Sequence, residues 1–215
     1  MTEEEWLSYS DPEEMLVFLR RKASDRKIRL FVCAWCRRHF WKQLHHATPR
    51  HLLEISERYA DGLYSRKVVV AARNAFNRVS DRLCHAGTSR AIKAVWWAAY
   101  AHPINSAFQM RGRQPRHATL RLQAVLLRDI FNPFRAAPIS SAMLFWQDST
   151  VVRLAQAAYD ERILPAGTLD NARLAVLADA LEEAGCTDEQ ILTHLRGGGE
   201  HYRGCFVVDA LLGKS

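Results

Sequence analysis

The sequence predicts an all-α protein of roughly nine or ten helices in a compact bundle, with no sheet. Three observations carry this. Apolar side chains recur every three to four positions along most of the chain. Cap-type residues stand ahead of those runs. No segment sustains the period-two alternation of a half-buried strand. Gly 10 and Pro 7 also leave little punctuation for a chain of many short hairpins.

Thr2 followed by Glu5 fits a capping box. Asp11-Pro12-Glu13-Glu14 supplies a cap, a first-turn proline and acids at the helix start, ahead of Met15, Leu16, Phe18 and Leu19. Ser24 caps the next element, expected over Lys27 to Leu44, with His45-His46 at its fraying end. Thr48-Pro49 opens a helix through Leu52, Leu53, Ile55 and Tyr59 to Gly62. Ser65 opens another through Val69, Phe76 and Leu83, and Ala91 to Ala101 forms a short one. Its adjacent Trp96 and Trp97 point apart on a helix, so one is expected in the core and the other exposed. Met110 to His117 reads as a loop, Ala118 to Phe131 as a helix, and Asn132 to Trp146 as a linker or wrapped loop. Ser149–Ile163, Asp170–Ala184, Thr187–Leu195 and a last helix from His201 or Tyr202 to Leu212 complete the chain. This divides it into a basic helical body (1–131), an irregular segment (132–148) and a smaller acidic helical unit (149–215), which can pack as one domain with the body.

The charge is uneven. The net +7 resolves into +11 over residues 1–150 (24 Lys/Arg against 13 Asp/Glu) and −4 over 151–215 (6 against 10). The hydrophobic share of 48% and the charged share of 25% exclude a disordered tail or a low-complexity scaffold. The uncharged run Ala94–Met110 contains His102, Pro103 and Asn105 and does not read as a membrane span. The opening Thr2-Glu3-Glu4-Glu5 is unlike a secretory signal, so the expectation is a cytoplasmic protein without membrane attachment. An odd number of cysteines, 5, argues against a disulfide framework.

Several segments resemble one family. They are Thr2–Leu7 with Asp11-Pro12, Lys22–Phe31, Arg58–Leu63, Leu126–Arg135, Leu177–Cys186 and His201–Asp209. Together they are similar to a large paralogous family of uncharacterised planctomycete proteins, over nearly the whole chain. The resemblance implies a bacterial protein and carries no activity, cofactor or catalytic residue with it.

Four constellations invite chemistry. Cys33-Ala34-Trp35-Cys36 is a C-x-x-C pair that Cys84 and His85 could complete as a metal site, though buried core cysteines are the commoner case. The Gly-rich segment Arg196-Gly197-Gly198-Gly199-Glu200-His201-Tyr202-Arg203 could offer backbone N–H groups to an anion, with Arg196, Gly198, His201 and Arg203 as ligands. A helix starting at His201 would stack His201, Cys205 and Asp209, giving a Cys–His nucleophile. Basic stretches 20–42 and 111–128 could hold nucleic acid through Arg26, Lys27, Arg37, Arg38, Arg111, Arg113 and Arg116, with aromatics interleaved for stacking. No complete catalytic set is present. The favoured expectation is therefore a non-enzymatic helical module that binds a protein partner and needs no cofactor. Nucleic-acid binding, and an anion or Cys/His enzyme site at 196–209, are the alternatives.

Overall fold

The computed structural model describes residues 1–9, 11–84, 88–100, 117–134 and 137–214. Eleven α-helices are found among them and no strand, as the all-α reading expects. No helix there is long and apolar enough to cross a membrane. The chain divides into two compact units, Met1–Leu127 and Arg128–Ser215.

The first unit begins with α1 (Glu3–Ser8), where the Thr2/Glu5 capping box forms in full. Asp11 caps α2 (Pro12–Leu19) and Ser24 caps α3 (Asp25–Trp35) through their side-chain oxygens. The expected long helix to Leu44 does not continue as one α-helix. From Cys36 to Phe40 it widens into a π turn, and from Trp41 to Gln43 it tightens into a 3-10 turn. The His39 ring lies flat on Trp35, with centroids 4.5 Å apart. His46 is not a frayed end either. Its Nδ1 accepts from the Thr48 N–H, which makes it the cap of α4 (Ala47–Ala60). The imidazole thus replaces the hydroxyl expected at Thr48. Helices α5 (Arg66–Leu83) and α6 (Ser89–Ala98) follow, and α3, α4, α5 and α6 pack on one another. Trp96 and Trp97 are both half-buried, with ring centroids 4.8 Å apart, because both rings also meet Tyr100.

Met15, Leu19, Ile28, Phe31, Trp35, Leu52, Leu53 and Phe76 are buried in this unit. So are Cys33 and Cys36, as ordinary apolar side chains, and burial pushes the Cys36 thiol well above its usual range. Cys84 is exposed, with its thiol 3.4 Å from the Ser89 hydroxyl. His85 lies outside the described residues. Cys84 is the one cysteine of the five that is not buried. A thiol reagent is therefore expected to label it quickly in the native protein, and the other four only on unfolding. A native count of two or more fast thiols would contradict this burial pattern.

Helix α7 (His117–Ile130) leads from the first unit into the second. The segment read as a linker up to Trp146 already becomes helical at Ser141, where Ser140 caps α8 (Ser141–Asp160). Its axis breaks at Gln147, Asp148 and Ser149, which have φ of 42°, 55° and 60°. That left-handed corner costs non-glycine residues energy and interrupts the apolar period, so the turns ahead of it carry no sustained helical pattern. Helices α9 (Asn171–Glu183), α10 (Glu189–Arg196) and α11 (Phe206–Leu211) complete the unit. α9 packs on α8 and α10, and α11 packs on α8. Val151, Ala155, Tyr159, Leu174, Leu177, Leu181, Leu192, Leu195, Val207 and Val208 belong to one continuous core.

Candidate metal centre

The last helix starts at Phe206, not His201. Gly204 has φ of +93°, and the Cys205 N–H donates back to the Tyr202 carbonyl at 2.9 Å. This turn makes Cys205 the residue preceding the helix and leaves His201 in the loop before it. His201, Cys205 and Asp209 therefore do not stack on one face. Asp209 is buried on the helix itself.

The tight turn sets up a different grouping. The Leu169 N–H donates to the His201 carbonyl at 2.8 Å, and Thr168 pairs with Tyr202 as an isolated antiparallel bridge. These bonds fix the backbone of His201 and Tyr202. His194 reaches the same place from the last turn of α10, a helix held at its start by Asp188, whose carboxylate accepts from the Gln190 and Ile191 N–H groups. Such a cap contributes about 1 kcal/mol. Asp129 arrives from the last turn of α7.

The four donors meet closely. Asp129 Oδ1 is 2.7 Å from His201 Nδ1 and 3.4 Å from His194 Nε2. His194 Nε2 is 3.3 Å from Cys205 Sγ. One ligand atom from each residue lies within 4.8 Å of every other. Asp129, His201 and Cys205 are buried, and His194 is half-buried. The second oxygen of Asp129 accepts from the Tyr202 N–H at 2.8 Å. The other ring nitrogen of His201, Nε2, is buried without a hydrogen-bond partner. The imidazoles cross edge to face with centroids 4.6 Å apart, and Phe206 packs on His194 at the same separation.

Burial pushes the Asp129 carboxyl up, but hydrogen bonds from His194 and His201 outweigh it and hold the group below its ordinary range. The Cys205 thiol goes the other way. Burial drives it well up, and the nearby Asp129 charge adds to this against the Val207 and Val208 N–H groups.

This geometry discriminates between chemistries. In a Cys–His–Asp relay one ring nitrogen faces sulfur and the other faces the carboxylate. Here the same Nε2 of His194 faces both. A thiol held in its neutral form is also a poor nucleophile. A tetrahedral zinc site needs donors that converge on one point, with nitrogen and oxygen near 2.0–2.2 Å and sulfur near 2.3 Å. Its edges are then about 3.3–3.8 Å. The His194–Cys205 and His194–Asp129 separations match such edges. The Asp129–His201 contact is about half an ångström short of one, and the widest pair about 1 Å long.

The anion site expected around the glycine run does not assemble. Arg196 is drawn to Asp179 at 2.8 Å and to Glu182, two carboxylates on the facing α9. Arg203 lies over the Tyr159 ring at 4.9 Å, near Asp160. His201 is turned to Asp129, and the Gly199 carbonyl accepts from Asn171. Gly198 has open space around it but no converging arginine. Carboxylates and a ring within the unit occupy the groups assigned to an external anion.

Of the four described members of the nucleic-acid set, two are drawn into ion pairs. Arg37 turns inward and forms a two-pronged ion pair with Glu57 at 2.6 and 3.0 Å, both groups buried. Arg26 pairs with Asp61 at 3.0 Å. Arg38 is exposed and Lys27 half-buried. Arg111, Arg113 and Arg116 lie outside the described residues.

Sequence reasoning found His201 and Cys205 but missed Asp129 and His194. The spacing of His194, His201 and Cys205 within one short segment was the available signal. Among the described residues this is the one group of three or more His, Cys, Asp or Glu side chains poised around a common point. Comparison of the chain with known proteins found no matching family model, no similar curated protein and no similar solved structure.

Proposed function

We propose that this chain is a metal-stabilised helical module whose second unit holds a zinc ion through Asp129, His194, His201 and Cys205. The convergence of two imidazoles, a carboxylate and a thiol, three of them buried, carries this reading. A mixed nitrogen, sulfur and oxygen set suits zinc better than calcium or magnesium, which take oxygen donors. Four protein ligands fill a tetrahedral shell and leave no position for substrate, which favours a structural over a catalytic role. Tyr202, donating its backbone N–H to Asp129, supplies the outer-shell contact that orients a ligating carboxylate.

Protein interaction is retained as the role that the zinc serves. Phe145 is 75% exposed, and Ile163, Leu164 and Val176 on the same unit are also exposed. If these side chains form one contiguous patch, it is the face on which a protein partner would dock.

Elemental analysis of protein purified without added chelator tests the metal. One zinc per chain is expected, falling to none in His194→Ala and Cys205→Ser. Cobalt substitution should give a thiolate-to-cobalt charge-transfer band that Cys205→Ser removes. A wild-type protein that neither carries nor takes up zinc or cobalt would refute the proposal.

A further inference from the structure

A cavity of about 660 Å³ opens in the first unit, between the N-terminal turns of α3 and α5, the end of α4 and the residues just past α6. That is within the range of small-molecule sites. Among the described residues its wall holds four guanidinium groups, from Arg26, Arg29, Arg66 and Arg73, against one carboxylate, Asp25.

These arginines are not equivalent. Arg26 is neutralised by Asp61. Arg29 is only 5% exposed. It donates to the Ala98 carbonyl at 2.8 Å and lies 5.0 Å from the Tyr59 ring. Among the described residues it forms no ion pair with a carboxylate. Burial pulls its pKa down from the ordinary arginine value, yet a guanidinium stays protonated in proteins. Asp25, one turn back on α3, acts on it only weakly and without direct contact, so this buried cation is incompletely neutralised, a costly arrangement unless an anion completes it.

Helix α5 gives an independent observation. Its first turn carries Arg66 and Lys67 and no acid, and Ser65, its cap residue, makes no side-chain hydrogen bond to that turn. Cations at a helix N-terminus oppose the helix dipole. The turn's spare N–H groups and Arg66, which lines the cavity, favour negative charge there.

We propose that this cavity binds a small molecule bearing a phosphate or diphosphate group, with Arg29, Arg66 and Arg73 as its ligands. Arginine suits phosphate because its planar fork meets two oxygens at once. Tyr59 and Val69 give the rest of the molecule a partly apolar wall. The depth of Arg29 selects a small molecule over a polymer, whose backbone would meet the exposed rim first.

Calorimetric titration of the full chain with pyrophosphate and inorganic phosphate tests this, with citrate and a single-stranded oligonucleotide as competing anions. Saturable one-site binding is expected, tighter for pyrophosphate than for citrate. Arg66 is exposed and Arg73 half-buried, so the Arg66→Gln/Arg73→Gln double variant should fold normally. It should raise the pyrophosphate Kd about a hundredfold, from roughly tenfold per lost charge-assisted contact. Arg29→Lys should weaken binding as well, and a melting curve checks its fold. The double variant keeps all four metal donors, so heat from zinc stripping would persist in it while binding heat would vanish. The proposal is overturned if neither phosphate binds saturably, if the double variant binds as tightly as wild type, or if citrate or the oligonucleotide binds as well as pyrophosphate.

Discussion

Glu57→Ala is expected to cost the first unit about 3–5 kcal/mol, because it strands the Arg37 guanidinium in the interior without its counter-charge. Both groups are buried and joined by two short bonds. Burial alone would pull the Arg37 pKa down, but the Glu57 hydrogen bonds and charge overcome that and raise it. Against a typical domain stability of about 5–15 kcal/mol, the loss would leave the unit marginal. Denaturant unfolding checks the figure. Replacing both partners with apolar residues of similar size, Arg37→Met with Glu57→Leu, should recover most of it, since no orphaned charge remains. A single variant within about 1 kcal/mol of wild type would mean that water reaches the pair.

The second large effect belongs to the proposed metal. With zinc held at a thousandfold above its Kd, stability of the second unit should rise by about 4 kcal/mol over the metal-free state. Chelation should therefore lower the melting temperature of wild type and leave Cys205→Ser unchanged. The affinity should also depend on pH in a definite sense. The Cys205 thiol is held well above its usual pKa, and zinc binds the thiolate. Binding must then release at least one proton across the neutral range, and the apparent affinity should rise about tenfold per pH unit. An affinity flat in pH would exclude sulfur as a ligand.

Helix starts were legible because they are local. Thr2 with Glu5, Asp11 with Pro12, and Ser24 each satisfy free N–H groups within three residues of themselves. Departures arose where a neighbour overrode the local pattern. The widened turn at Cys36–Phe40 and the left-handed corner at Gln147–Ser149 are set by packing and backbone geometry that no spacing rule carries. The candidate centre was half legible for a related reason. His201 and Cys205 share one turn, but His194 looks like an ordinary cation closing a helix, and Asp129 stands far upstream. Only the fold brings these two together. The arginine-lined cavity was invisible in the same way, since Arg29 and Arg73 lie on different helices and a linear charge plot cannot say which cations converge.

The remoteness of Asp129 has a further consequence. Severing the polypeptide between Asp129 and Ser140 and removing the N-terminal piece would leave α8–α11, which share one core, with two imidazoles and a thiolate but no carboxylate. An ion bound there would fill its fourth position with water, and zinc acidifies the water it holds. A clipped chain could thus acquire hydrolytic reactivity that the intact one suppresses, with one aspartate acting as the stopper.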